Sequence, residues 1–325
     1  MKRLLMALLT ALVVSTSAHA QKDHKYNIVL VPGLVSDDFY ITMNRGAQAA
    51  AEAFGVNVRF QGPEEFDPVR QTPVLDAVIA QHPDAILIAP TDSTQMIEPL
   101  RRAHEQGIPV ITVDTYIGDG KYQDGKGNAD FPISYIASDN IEGGRIAARR
   151  MAKAIGDKGS VYVSNVRPGI STTDQRQQGF TQEMKENHPD ITVLDPQYND
   201  DDASKAASQF GAVLARHPDL KGVFGANLFS AIGAANGVQQ AGAENKVQVI
   251  AFDAPQSIIN NLKSGLVNAA IAQHPAEIGW YGVATAYAYL SGHSVPRKIG
   301  TGFTVIDKSN YDDKDIAKFI YSGNN

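Results

Sequence analysis

Short apolar runs alternate with segments of helical length along residues 26–290, and this alternation constrains the fold more than any other feature. Most runs are near-continuous in Val, Ile, Leu and Ala, which is typical of strands buried on both faces of a parallel sheet. The predicted strands are 26–32, 56–61, 84–90, 108–114, 133–138, 159–165, 190–195, 220–226, 246–253 and 266–273. The predicted helices are 39–54, 67–81, 93–106, 139–155, 174–188, 202–216, 228–241 and 275–290, and the tail from about residue 300 adds a strand and a short helix. The pattern predicts an α/β fold with right-handed crossovers.

The tripeptide His-Pro-Asp occurs three times, at 82–84, 188–190 and 217–219. Each copy follows a predicted helix and precedes the next predicted strand. Proline cannot continue a helix and disfavours helical backbone in the residue before it. The repeats therefore predict helix ends rather than a catalytic pair or a metal site.

Residues 1–20 have the three parts of a secretory signal peptide. Lys2 and Arg3 supply the positive charge, 4–14 form an apolar core, and 18–20 read Ala-His-Ala, a small-residue cleavage site. The apolar core is too short to cross a bilayer, which takes about 20 residues. We expect cleavage after Ala20 and a mature protein that is soluble in the periplasm.

Cysteine is absent from the sequence. A lipid-anchored export signal ends at a cysteine, so a lipoprotein anchor is excluded, and disulfides are excluded as well. The mature chain of about 305 residues is long enough for two domains that rest on their hydrophobic cores. The net charge of −6 argues against a nucleic-acid partner, which would require clustered Lys and Arg.

Enzyme signatures are missing from the sequence. It contains no GxSxG, HExxH, GxxxxGK[ST] or GxGxxG motif, and its histidines lack the i, i+4 spacing of metal ligands. The Gly- and Asp-rich segment 117–132 could bind calcium, but it lacks the spacing of an EF-type loop, and a surface loop is expected. The sequence thus predicts neither an enzyme nor a metal or cofactor site.

Polar side chains follow the predicted strands or open the next helix. Ligands of open α/β sheets bind outside the carboxyl ends of the strands. Any one of these residues, taken alone, is also typical of a helix cap. Together, carboxylates and a guanidinium suit a polyol, since hydroxyls donate to Asp and accept from Arg. The set is Asp37, Asp114, Arg176, Asn227, Asp253 and Gln273.

Several segments between Tyr26 and about Leu290 carry a resemblance to a known family. They are FYITMNRGAQAAAEAFG, DAILIAPTDS, GIPVITVD, YIASDNIEGG, RQQGF, HPDLKGVFGAN, VIAFDAP and VNAAIAQHPAEIG. The chain resembles the type I periplasmic binding proteins of bacterial ABC importers, in the branch of the ribose- and galactose-binding proteins. IASDN followed by GG, and IAQ-x-P followed by IG, are specific to that branch.

The resemblance implies two Rossmann-like lobes with parallel sheets, joined by a three-segment hinge. The first lobe would be 21–137 and 274–299, and the second 138–273 and 300–325. A sugar would lie in the cleft, and the lobes would close over it. The closed protein, a monomer, would then deliver the sugar to a membrane permease.

Carried over by position, the resemblance implies that the six polar residues form the hydrogen-bonding ring of a sugar site. Phe39 would be a wall aromatic and Tyr40 a weaker wall candidate, whereas Trp280 is expected in the core. Ribose binders have an arginine where this chain has Thr115, so we expect extra room in the cleft beside Asp114.

Two further positions depart from the family pattern. The second stacking aromatic is replaced by the acidic run YNDDD at 198–202, which leaves Tyr198 as the nearest ring, and Leu228 stands where an acidic residue is usual. The predicted ligand is therefore a neutral monosaccharide or sugar alcohol, with ribose bound weakly if at all.

Three other functions are compatible with parts of the sequence. A transcriptional regulator of the same fold would need an N-terminal helix-turn-helix, where the signal peptide stands instead. An exported hydrolase would need a nucleophile or a metal, and no motif supplies one. A periplasmic sensor that presents the sugar to a chemoreceptor or sensor kinase stays open beside transport.

Overall fold

The computed structural model describes residues 25–127 and 129–322, and two sheets organise them. All strand pairs of the first sheet are parallel. In chain order its strands are β1 (Asn27–Val31), β2 (Asn57–Phe60), β3 (Ala85–Ile88), β4 (Val110–Val113), β5 (Ser134–Ser138) and β12 (Lys298–Thr301). In space they run in the order β12-β5-β4-β3-β1-β2.

The second sheet is parallel except for its last strand. Its strands are β6 (Gly159–Asn165), β7 (Ile191–Val193), β8 (Gln197–Tyr198), β9 (Leu220–Gly225), β10 (Gln248–Phe252), β11 (Ala269–Gln273) and β13 (Phe303–Asp307). In space they run in the order β13-β11-β10-β9-β6-β7, with β8 also paired to β6, and β13 runs antiparallel to β11.

The helices pack on the two sheets and complete two α/β lobes, as the sequence predicted. Those on the first sheet are α1 (Asp38–Phe54), α2 (Pro68–Ile79), α3 (Ile97–Glu105) and α9 (Pro275–Leu290). Those on the second are α4 (Asn140–Ile155), α5 (Ser171–Asn187), α6 (Ala203–Arg216), α7 (Leu228–Gln240) and α8 (Gln256–Ser264), and α10 (Lys314–Ala317) lies near the end of the chain. In 25–127 and 129–322, helices with the length and apolar character of a membrane span are absent.

The central strands are buried on both faces, which explains their continuous apolar sequence. Every residue of β3, β4, β5 and β11 is buried. Separate groups of apolar side chains lie on the two faces of the first sheet: Leu30 and Leu87 belong to one, and Val29 and Ile88 to the other. Side chains therefore pack against both faces of these strands, as their continuous Val, Ile, Leu and Ala sequence predicted.

Two helix pairs approach so closely that only glycine fits at their crossing points. A Cβ on Gly279 of α9 would lie 1.9 Å from the carbonyl oxygen of Met43 in α1, and one on Gly179 of α5 would lie 2.0 Å from that of Ile141 in α4. The α4–α5 contact matters for the site, because it holds Arg176 of α5 against the start of α4.

The chain passes between the sheets three times. The passages are from β5 to α4, from β11 to α9, and from β12 to β13. The third passage lies between Thr301 and Phe303, whereas the sequence placed residues 300 and 301 in the second lobe. The difference arises because β12 extends along β5 through the pair Thr301 and Ser138.

Most predicted elements are present, and the exceptions are short. His188 and His217 directly follow the ends of α5 and α6, so these His-Pro-Asp copies do end helices. The segment 117–132 connects β4 to β5 and contains a short 3-10 helix, Lys121–Asp124. The sequence missed α8, β8 and β12. The predicted signal peptide lies outside the described residues.

Candidate ligand-binding site

A cavity lies where the carboxyl ends of the two sheets face each other. The space between its lining residues, counted together with the solvent at its opening, is about 400 Å³. The first lobe contributes Asp37, Phe39, Tyr40, Phe66 and Asp114, and the second contributes Val166, Ile170, Thr172, Thr173, Arg176, Asp201, Asn227, Asp253 and Gln273. Both lobes therefore line one site, as in an α/β ligand cleft.

Three of the aspartates that line the cavity have left-handed backbone. Their φ angles are 60° at Asp114, 64° at Asp201 and 72° at Asp253. Asp and Asn tolerate this region better than other non-glycine residues, yet it costs free energy that persists only where the surroundings impose it. Asp114 and Asp253 each come directly after a buried strand, and the unusual backbone directs the chain away from the sheet at that point.

Asp253 is fixed by two hydrogen bonds from neighbours. The Nε2 of Gln273 donates to its Oδ1 at 2.9 Å, and the hydroxyl of Tyr321 donates to the same oxygen at 3.0 Å. Burial raises the pKa of Asp253, and the charge of Arg176 acts in the opposite direction. The carboxylate is thus oriented before any ligand arrives.

Asp114 is oriented from the first lobe. The hydroxyl of Tyr40 donates to its Oδ2 at 2.9 Å. Burial raises the pKa of Asp114 to about 6, against the opposing effects of Arg176 and of the Tyr40 hydroxyl. Tyr40 therefore does more than form a wall, because it positions a carboxylate.

Asp37 and Asn227 both cap a helix and line the cavity. Oδ1 of Asp37 accepts from the backbone N–H of Phe39 at 2.8 Å, and Oδ1 of Asn227 accepts from that of Ser230 at 3.1 Å. Burial and the nearby charge of Asp253 raise the pKa of Asp37 well above its usual value. The capping role expected of such residues and the cavity position coexist here.

Arg176 is held by neutral oxygens. Its Nε donates to Oδ1 of Asn140 at 2.8 Å, and its Nη1 donates to the carbonyl oxygen of Ala226 at 2.9 Å. Its guanidinium carbon lies 3.8 Å from the ring centroid of Phe252. A guanidinium has five N–H donors, so these two bonds leave others for a ligand in the cavity.

Hydrogen-bond acceptors dominate the lining. Four carboxylates share the cavity with one guanidinium, and Oε1 of Gln273 is buried without a protein partner, as is the hydroxyl of Thr173. Buried polar atoms are normally hydrogen-bonded. The arrangement suits a compact ligand with many hydroxyl donors. Across residues 25–127 and 129–322, no group of three or more His, Cys, Asp or Glu side chains is placed to hold a metal ion.

The comparisons with known proteins agree on one family. A family model described as a periplasmic binding protein domain matches residues 28–294. The ribose import binding protein of Escherichia coli is 31% identical over 94% of this chain and 98% of its own length. This chain belongs to the periplasmic binding protein family. Members of the family bind solutes for transport and are not enzymes, which confirms the family, fold and non-enzymatic role predicted from the sequence.

Solved structures of sugar-binding members superpose on this protein. A solute-binding protein of an ABC transporter from Agrobacterium vitis, bound to α-D-tagatopyranose, is 66% identical, with a TM-score of 0.90 over 92% of this chain and 100% of that one. A carbohydrate transporter solute-binding protein from Agrobacterium radiobacter, in complex with D-arabinose, is 28% identical, with a TM-score of 0.84 over 92% and 99%.

The structure brings together eight of the nine residues predicted to bind ligand. The exception is Thr115, which is 1% exposed and lies outside the cavity lining. Its hydroxyl donates to the carbonyl oxygen of Pro90 at 2.7 Å, so the side chain secures a loop of the first lobe. The expected extra room beside Asp114, relative to a ribose site, stays a prediction.

One prediction about an aromatic residue needs correction. Trp280 is 36% exposed and packs against Phe54 on the outside of the first lobe, with ring centroids 6.0 Å apart, so it is not a core residue. Tyr198 does not line the cavity. Phe39 does, and its ring lies edge-on between those of Tyr40 and Tyr321.

Sequence reasoning missed six residues of the cavity lining and one that supports it, Tyr321. The six are Phe66, Val166, Ile170, Thr172, Thr173 and Asp201. Asp201 lines the cavity, and burial raises its pKa to about 6 although Asn227 donates to its Oδ1 at 2.7 Å. The acidic run at 198–202 was its signal. Tyr321 had no signal, because it reaches Asp253 only through the course of the C-terminal segment, where it pairs with Pro255.

Proposed function

We propose that this protein captures a neutral, hydroxyl-rich monosaccharide in the cavity between its lobes and delivers it to the permease of an ABC importer. The observation that carries the proposal is the ring of four carboxylates and one guanidinium that lines the cavity. Hydrogen bonds from sugar hydroxyls to these charged groups contribute about 1.5–3 kcal/mol each. The net negative charge of the ring disfavours anionic sugars such as uronates and sugar phosphates.

The preferred ligand is a ketohexose in its pyranose form, such as D-tagatose. The supporting observation is the 66% identity to the Agrobacterium vitis protein that was crystallised with α-D-tagatopyranose. The relatives whose names specify ribose or allose are 28–32% identical, and their names carry less weight for this chain. We expect ribose to bind weakly.

A thermal-shift screen tests this assignment. The mature protein is heated with D-tagatose, D-ribose, D-allose, galactitol and D-tagatose 6-phosphate, each at the same millimolar concentration. A ligand at 100 times its dissociation constant stabilises the folded protein by about 2.7 kcal/mol. We expect the largest shift with D-tagatose and none with the phosphate. A largest shift with ribose or with the phosphate would contradict the assignment.

Export is part of the proposal. The supporting feature is the tripartite segment 1–20 that ends in Ala-His-Ala. Intact-mass measurement of protein from a periplasmic extract should give the mass of a chain that begins at Gln21 and carries no lipid. A chain that retains Met1 would contradict periplasmic localisation.

A further inference from the structure

The loop between β6 and α5, together with Ser171 at the start of α5, bonds to the first lobe at four points. Arg167 makes two of the contacts: its Nη1 donates to the carbonyl oxygen of Phe66 at 3.1 Å, and its Nη2 donates to that of Thr91 at 3.1 Å. Two bonds from the first lobe complete the set, here termed the clasp. They run from Ser93 N to Gly169 O and from Tyr116 N to Ser171 Oγ, each at 3.0 Å.

The clasp lies next to the cavity, but the Arg167 side chain does not line it. Val166 and Ile170, on either side in the loop, line the cavity, whereas Arg167 does not. Its guanidinium carbon lies 5.9 Å from the ring centroid of Phe66, which does line the cavity. Arg167 is thus positioned to act on the lobes rather than on the ligand.

Arg167 also lies among acidic side chains from both lobes. A second cavity, which shares Phe66 and Asp201 with the ligand cavity, is lined by Glu64, Glu65 and Asp67 of the first lobe and by Asp200 and Asp201 of the second. Among the described residues that line this second cavity, Arg167 is the basic one. Two acids have other cations: Arg70 lies 3.5 Å from Glu65, and Lys205 pairs with Asp200. Like charges at closing surfaces repel, and a cation between them offsets that repulsion.

We propose that Arg167 is a positioning residue that sets the affinity for the ligand by stabilising the closed arrangement of the lobes. The inference rests on the proposed function for the identity of the ligand. The clasp joins the two lobes, so its bonds exist only when the lobes are together. For a ligand that needs the closed form, the apparent dissociation constant equals the intrinsic dissociation constant divided by the fraction of protein that is closed. Arg167 raises that fraction.

The guanidinium is suited to this role by its shape. Its planar fork directs two N–H groups at two separate carbonyl oxygens, which a lysine ammonium cannot match in geometry although it keeps the charge. Both acceptors are backbone carbonyls that follow β2 and β3. The two bonds of Arg167 therefore depend on the position of the first lobe's backbone rather than on the side chains of Phe66 and Thr91.

The experiment compares wild type with Arg167→Ala, Arg167→Lys and the control Arg102→Ala. Arg102 pairs with Asp76 on the surface of the first lobe and does not touch the second. Calorimetry with D-tagatose should give an affinity about tenfold lower, or weaker still, for Arg167→Ala, an intermediate affinity for Arg167→Lys, and no change for Arg102→Ala. Stopped-flow measurement should place most of the loss in faster dissociation.

Small-angle scattering separates this inference from the proposed function. If wild type binds D-tagatose but Arg167→Ala binds it equally well, the clasp is overturned and the function stands. If wild type binds no sugar, the function fails, and the ligand-free samples decide the clasp: Arg167→Ala should have a larger radius of gyration than wild type, and equal radii would overturn it. Should Arg167→Ala not fold, Ser171→Ala, which removes the bond to Tyr116, must show the same changes on a smaller scale.

Discussion

Two aspartates of the cavity lie where the sequence placed them, because ligands of a parallel sheet bind outside the carboxyl ends of its strands. Asp114 and Asp253 follow continuous apolar runs, so their position at the carboxyl edge could be inferred from the runs alone. Their partners could not be inferred. Tyr40 and Tyr321 reach them from sequence distances of 74 and 68 residues, and only the assembled fold brings these hydroxyls to the carboxylates.

Arg176→Met should weaken sugar binding far more than it weakens the fold. Methionine retains packing against Phe252 but loses every N–H donor, and the ligand oxygens that Arg176 would bind are left unpaired in the closed cavity. We expect a loss of about 2–5 kcal/mol in binding free energy. Calorimetry measures the loss, and circular dichroism checks that the variant is folded. An unchanged affinity would remove Arg176 from the site.

Sugar affinity should fall as the pH is lowered through about 6. Burial raises the pKa of Asp114 and Asp201 to about 6, above the value of about 4 for an unfolded chain. Sugar hydroxyls donate to the ionised carboxylates, so binding favours ionisation and releases protons near pH 6. Calorimetry in buffers of different ionisation enthalpy should detect this release. Affinity that is flat or higher at pH 5 than at pH 7 would contradict the assignment.

The same raised pKa values affect the ligand-free protein in the opposite direction. Between about pH 4 and pH 6 the folded state holds more protons on Asp114 and Asp201 than the unfolded state does. Their contribution to the free energy of unfolding therefore falls as the pH rises through this window. Asp201→Asn should flatten that part of the stability profile, as measured by urea unfolding at pH 4 and pH 7.

At the scale of elements, continuous apolar runs were sufficient to predict buried strands, and a strand without such a run was missed. Every residue of β12 except Thr301 is at least partly exposed, and it is a strand because β5 offers an unpaired edge. Pairing with a distant strand determines β12, so local pattern does not reveal it. Helix α8 is different, because its buried residues Ile258, Ile259 and Leu262 have helical spacing, and this local signal was overlooked.

The crossing of α1 and α9 should not tolerate an added methyl group. Gly279→Ala would place its Cβ 1.9 Å from the carbonyl oxygen of Met43, and relief requires the helices to separate. We expect a loss of about 1–3 kcal/mol in the free energy of unfolding. The control is Gly211→Ala in α6, where nothing lies within 4 Å of the added Cβ, and which should stabilise by about 0.5–1 kcal/mol. Equal effects in urea unfolding would contradict the packing argument.

At the scale of the whole molecule, two sheets with opposed carboxyl edges create one site that neither lobe contains alone. Asp37 and Asp114 come from one lobe, and Arg176, Asp201 and Asp253 from the other. A ligand that bonds to both sets stabilises the closed arrangement over any open one. The α/β class was evident from the sequence because alternation is a repeated local signal. The clasp depends on how the lobes meet, which no local pattern encodes.

Calorimetric titration of the mature protein at pH 7.5 with D-tagatose, and in parallel with D-tagatose 6-phosphate, tests whether the acidic ring selects a neutral sugar. The two ligands share the sugar and differ in charge, so the comparison isolates the acidic ring. We expect one sugar bound per chain, no detectable binding of the phosphate, and loss of sugar binding in Arg176→Met. Tighter binding of the phosphate than of the free sugar, or sugar binding that survives in Arg176→Met, would contradict this expectation.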